Sequence, residues 1–176
     1  MKIHITGASG CGVSTLGKNL SEQLGIKVFD ADDYFWVKTD PPFVEQVPPD
    51  VRMQNLHDDL KKHEKWILSG SAMSWSRAFQ HDFTHVIFLQ APTEIRIARL
   101  IERERGLWGT RINPGNDMHK GHVEFIEWAA QYDIGDMGGR SLMKHEAWLK
   151  NLKCPIFRID SSQYEEVVLA EALKYL

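Results

Sequence analysis

"HITGASGCGVSTLGKNL", residues His4–Leu20, carries the pattern on which the fold assignment turns. An apolar segment runs into closely spaced glycines, then a Ser–Thr pair, then a helical periodicity. The spacing nearly matches the phosphate-binding pattern G-x-x-x-x-G-K-[ST], with Gly7, Gly12 and Ser14 in place and Val13 where lysine is expected. A strand–glycine–helix order leaves free backbone amides at a helix N-terminus, where hydrogen bonds and the helix dipole both favour an anion. The candidate cradle is therefore Gly7, Ala8, Ser9, Gly10, Cys11, Gly12, Val13, Ser14 and Thr15, with the Ser14 hydroxyl as candidate Mg²⁺ ligand. Val13 removes a cation that would bridge two phosphates. Anion binding survives on amides and metal, whereas phosphoryl transfer needs a cation from elsewhere.

Two other readings compete. One is a sharp turn with no ligand. The other is a dinucleotide-binding turn, with Asp30 at the end of the second strand as the ribose acid. The pattern G-x-G-x-x-G fails, because Thr15 holds the third glycine position. Tyr34 and Lys38 have the spacing Tyr-x-x-x-Lys but lie directly after strand two, too early for a dehydrogenase pair.

Composition narrows the class. The 176 residues suit one domain with a sizeable core, and 43% hydrophobic with 26% charged residues is ordinary for a globular protein. A net charge of −3, from 21 basic and 24 acidic side chains, offers no field to attract nucleic acid or an anionic membrane. No apolar run nears the roughly 20 residues that span a bilayer. Cys11 and Cys154 make no disulfide framework, so the expectation is a reduced, cytoplasmic protein.

Five strand-like runs alternate with helical periodicity: Lys2–Thr6, Lys27–Asp30, Trp66–Gly70, His85–Gln90 and Pro155–Asp160. Helices are expected over Ser14–Leu24, closed by Gly25, from near Asp50, and over Tyr164–Leu176. This alternation predicts a parallel sheet covered on both faces, with ligands at the edge carrying Thr6, Asp30, Gly70, Gln90 and Asp160. Thr39–Asp50, with four prolines, and the glycine-rich Gly106–Asp117 interrupt it and read as a flap and a lid.

The whole layout resembles the small P-loop kinases of the adenylate kinase-like and nucleoside kinase-like branch, and "APTEIRIARLIERERGLWGTR" (Ala91–Arg111) looks like the helix leading into their lid. The resemblance implies a three-layer α/β P-loop NTPase fold: a five-stranded parallel sheet in the order 2-3-1-4-5, helices on both faces, and a lid. It implies one domain over residues 1–176, with an acceptor-side flap at about 34–50 and a lid at about 105–120. The implied activity is transfer of the γ-phosphoryl of ATP, or another nucleoside triphosphate, with Mg²⁺, to a nucleotide, nucleoside or similar small acceptor. An ATP-binding module with little catalysis and a small NAD(P)-binding oxidoreductase stand as alternatives.

In such kinases an aspartate placed like those of "FDADDYFW" accepts the proton of the attacking hydroxyl, and Asp32 is the first choice, Asp30 the second. The competing reading is a solvated acidic turn. Arg96, Arg99 and Arg103 share one helix face, and Arg105 and Arg111 continue the charge into the lid. Arg99, Arg103 and Arg111 are the expected phosphate contacts, by bidentate guanidinium donation. Arg140 is a weaker lid candidate, and Lys18, one helical turn beyond Ser14, reads mainly as a solvated lysine. Small hydroxylated residues in "SGSAMSWS" (Ser69–Ser76) either touch an acceptor or cap a helix. His119 and His122 fit an amphipathic helix better than a metal site.

Overall fold

A computed structural model describes residues 1–135 and 140–176 of the chain. Strands β1 (Lys2–Gly7), β2 (Val28–Asp30), β3 (Trp66–Ser69), β4 (His85–Gln90) and β5 (Ile156–Asp160) pair in parallel in the order β2-β3-β1-β4-β5. The implied sheet order and three-layer architecture are thus observed. In β1 and β4, flanked on both edges and covered on both faces, the central residues are all buried; β4 accordingly carries the apolar run Val86–Leu89, whereas β1 alternates Ile3 and Ile5 with buried His4 and Thr6.

Helices α1 (Val13–Leu24) and α7 (Glu165–Leu173) cover one face, where Leu16 and Leu20 join Val168 and Ala172 against Ile3, Ile5 and Ile87. Opposite them lie α3 (Pro49–Leu60) and α6 (Leu142–Leu149), whose Leu56, Leu60 and Leu149 pack with Trp66, Leu68, Phe79 and Phe88. A short helix α2 (Asp32–Phe35) follows β2, and α4 (Thr93–Trp108) packs beside α5 (His119–Ala130). Among the described residues no helix is long and apolar enough to cross a membrane.

This topology bears on the dinucleotide reading. A dinucleotide fold sets strand two beside strand one, whereas here β3 separates them. Asp30 therefore faces the loop across an intervening strand, the arrangement of a phosphate-loop protein.

The two irregular segments are more ordered than their composition suggests. Trp36 and Gln46 form an antiparallel bridge, Val37 N–H donates to Glu45 C=O at 2.9 Å, and Val47 N–H donates to Phe35 C=O at 2.9 Å, so the flap is a closed hairpin-like excursion. The expected lid does not begin at Gly106. Helix α4 continues to Trp108, because an isolated glycine costs a helix only about 1 kcal/mol, and Gly109–Ile112 forms a 3₁₀ turn whose Ile112 is buried.

Candidate active site

The loop between β1 and α1 forms because its glycines allow what other residues forbid. Gly10 has φ +84°, and a Cβ there would stand 2.5 Å from the Arg96 carbonyl oxygen. The loop thus lies directly against the start of α4. Val13, Ser14 and Thr15 precede the first helical bond, Leu16 N–H to Gly12 C=O at 2.9 Å, so their amides remain available at the mouth. Ala8 and Cys11 are buried in the core, and Val13 packs against that same core. Position 13 therefore contributes packing where the motif has charge.

Ser14 is held for a polar task. Its Oγ donates to Asp30 Oδ2 at 2.7 Å, and Ser69 Oγ reaches the same oxygen at 3.5 Å. Asp32 N–H donates to the other carboxylate oxygen at 3.0 Å. Three elements converge on this carboxylate because α1 sits close to the sheet: a Cβ on Gly17 would lie 2.9 Å from Ser69 Cβ. Of the Ser69–Ser76 stretch, Ser69 joins the site, whereas Ser76 is buried and bonds Gln80 at 3.3 Å.

Asp32 is exposed at the start of α2. Surrounding protein raises its carboxyl above the usual range, the Asp30 charge adds to that, and Arg140 and Arg103 oppose it. The structure thus brings Asp32, Arg103 and Arg140 into one electrostatic neighbourhood. Arg140 donates from Nη2 to Ser9 Oγ at 2.6 Å, and its guanidinium carbon lies 5.1 Å from the Trp128 ring centre. The "DMGG" stretch before it lies outside the described residues.

The other arginines occupy four different settings. Arg99 donates from Nη1 to the carbonyls of Gly10 (3.4 Å) and Ser161 (2.8 Å), so it buttresses the back of the loop. Arg111 pairs with Asp117 at 2.5 Å on the exposed lip, where Asp40 of the flap also favours its charge. Arg103 is exposed and lies 5.8 Å from the Phe125 ring. Arg96 is no part of a surface stripe: it is 1% exposed. Its guanidinium donates to the carbonyls of Ala91 (3.2 Å), Ser9 (3.5 Å) and Ala129 (3.3 Å) and to Asp133 (2.6 Å), tying the loop to α4 and α5. Lys18 is exposed and forms no ion pair among the described residues. His122 donates to Glu104 at 2.6 Å and His119 meets the Ile112 carbonyl at 2.9 Å, so both join neighbouring elements to α5.

Sequence reasoning passed over Arg52. It is 6% exposed, with its guanidinium 3.9 Å over Phe35 and 5.5 Å from Trp75. Its Nε is buried without a partner, and Nη1 reaches only the Val47 carbonyl at 3.5 Å. Among the described residues it has no carboxylate. No local pattern marks it, since Arg52 reads as one polar residue in a polar helix. Nearby aromatics do flap packing, Trp36 lying 5.9 Å from Phe43, while Tyr34 donates to Asp59 at 2.7 Å.

A family model described as an AAA domain matches residues 3–113. The Bacillus subtilis protein YqaC is 37% identical over 174 residues, covering 99% of this chain and 96% of its own length. A cytidylate kinase of Archaeoglobus fulgidus is 27% identical over 115 residues, 59% of this chain and 62% of that one. Among solved structures, shikimate kinase from Bacteroides thetaiotaomicron superposes with a TM-score of 0.59 at 18% identity, covering 99% of this chain and 97% of that chain. The chain belongs to the AAA domain family and has the fold of a small P-loop kinase-like NTPase.

Proposed function

We propose that this protein is a small-molecule kinase, transferring the γ-phosphoryl group of ATP to a nucleotide, nucleoside or similar small acceptor. The carrying observation is the Ser14–Asp30 pair at the loop with Asp32 beside it, facing the cations Arg103 and Arg140. Loop amides would hold the β-phosphate. The Ser14 and Asp30 oxygens suit Mg²⁺, which takes one or two protein oxygens and completes its shell with water and substrate phosphates. When bound, that ion screens the phosphate charge. Asp32 would accept the proton of an acceptor hydroxyl as its oxygen bonds to the γ-phosphorus, and the bond from that phosphorus to the β,γ-bridging oxygen breaks to release ADP.

Arg52 supports an acceptor that is itself anionic. A buried guanidinium without a counter-ion is costly, and an acceptor carboxylate or phosphate would satisfy its free Nε. The two free cysteines and the use of ATP suit the cytoplasm. A second reading, an ATP-binding module with little turnover, is favoured by one observation, the valine at position 13. Incubation with γ-labelled ATP, Mg²⁺ and a panel of nucleotides, nucleosides and phosphorylated or carboxylated small alcohols separates the two. The kinase reading expects label in an acceptor. ATP binding without label in any acceptor supports the module.

A further inference from the structure

We infer that Arg140 supplies the cation that Val13 removes from the phosphate loop, contacting the γ-phosphate of a bound triphosphate. This assignment rests on the kinase reading and names the residue that makes its chemistry feasible.

Four observations carry it. Arg140 is the cation whose side chain reaches a polar side chain of the loop, through Nη2 to Ser9 Oγ at 2.6 Å. Among the described residues neither Arg140 nor Arg103 has a fixed anionic partner there, whereas Arg96 has Asp133, Arg111 has Asp117 and Arg99 is engaged with two carbonyls; Arg103 is exposed beside Phe125 and makes no contact with the loop. Among the described residues Arg140 forms no ion pair: the Ser9 hydroxyl and the Trp128 ring lie against its guanidinium, and the Asp32 charge acts on it from farther off. A desolvated guanidinium so placed gains most from an anion, and a phosphate accepts its fork of donors.

Position is the third. Arg140 touches the loop at Ser9, Asp32 is tied through Asp30 to Ser14 of the same loop, and each charge favours the other's ionised form, so the space between them adjoins the loop. The group in transit from ATP to an acceptor at Asp32 has to occupy that space.

Anchoring is the fourth. Ser141, the next residue, is 1% exposed and caps α6, its Oγ accepting from Lys144 N–H at 3.3 Å. Leu142 N–H donates to Tyr132 C=O at 2.9 Å, and Tyr132 OH bonds buried His145 at 2.6 Å. The backbone next to Arg140 is therefore held in the core. Transfer needs such a preorganised cation, one that does not reorient as charge develops.

The test compares ATP and ADP binding by calorimetry, in the presence of Mg²⁺, for the wild-type chain, Arg140→Met, Arg140→Lys, and Arg140→Met combined with Val13→Lys. A charge-assisted contact confined to the γ-phosphate predicts that Arg140→Met weakens ATP roughly tenfold to hundredfold while ADP changes less than threefold. Arg140→Lys keeps part of the preference. Val13→Lys in the Arg140→Met background restores part of it, a result that a merely structural arginine would not give. Equal weakening of both nucleotides, an unchanged ATP-to-ADP ratio, or a double variant no better than Arg140→Met each overturns the assignment. A wild-type chain that binds neither nucleotide overturns the kinase reading itself, a distinguishable failure.

Discussion

Acidification from pH 7 to pH 5 is expected to cost this fold several kcal/mol through two histidines alone. His4 and His145 are each 0% exposed. The His4 ring donates from Nδ1 to the Leu68 carbonyl at 3.1 Å and stacks on Phe83 at 4.7 Å, leaving Nε2 buried without a partner. His145 lies between Tyr132 OH at 2.6 Å and Thr6 Oγ1 at 3.4 Å, and the Arg140 charge further disfavours its protonation. Burial lowers His4 to about 4 and His145 to about 3, from an ordinary 6.5. Both groups are neutral in the fold, so their stability contribution is complete above 6.5 and is lost as pH falls toward those values. Between pH 7 and 5 the unfolded chain gains about 0.7 of a proton at each site and the folded chain almost none, about 2 kcal/mol per histidine and about 4 together. Asp32, raised in the fold, works weakly in the opposite direction. Urea unfolding at pH 8, 7, 6 and 5, followed by fluorescence of the six tryptophans, reads the slope. His4→Asn and His145→Gln should each remove about half of the pH dependence, whatever they do to absolute stability. A wild-type stability that is flat between pH 7 and 5, or variants that keep the full slope, refutes the assignment of neutral buried histidines.

Other perturbations have equally definite outcomes. Gly10→Ala forces a side chain into a positive-φ position against the Arg96 carbonyl, and should lower stability by about 2 kcal/mol or more and ATP affinity at least tenfold, read by urea titration and calorimetry. Arg52→Met replaces a buried, unpaired cation with a side chain of similar reach between two aromatic rings. Melting temperature should hold or rise, while the KM for an anionic acceptor rises at least tenfold; a fall of several degrees would show that the charge stabilises the empty fold. Arg99→Ala removes a buttress, so ATP and ADP affinity should fall together with stability; a loss confined to ATP would move Arg99 to the γ-phosphate.

Much of the fold could be read from the sequence because the buried strands β3 and β4 carry apolar runs and the glycine pattern after β1 has a local cause. The site divides along the same line. Ser14 and the loop lie within one short stretch, and Asp30 and Asp32 fall at a strand end whose position the alternation predicts. The arginines do not follow this logic. Arg96, Arg99 and Arg103 share a helix face, yet one is buried, one clamps backbone and one is exposed beside Phe125, because α5 and the loop cover the face unequally. Arg140 meets Ser9 across 131 residues, and Arg52 is enclosed by rings from α2 and from the segment after β3. Neither contact has a periodicity or motif of its own. Both arise from how distant elements pack.

Calorimetric titration of the protein with Mg²⁺–ATP, with NADPH as comparison, tests most directly whether the loop binds a nucleoside triphosphate with Mg²⁺. Saturable ATP binding, weakened by Ser14→Ala and by omission of Mg²⁺, with no NADPH binding, is the expected result. NADPH binding without ATP binding would contradict it.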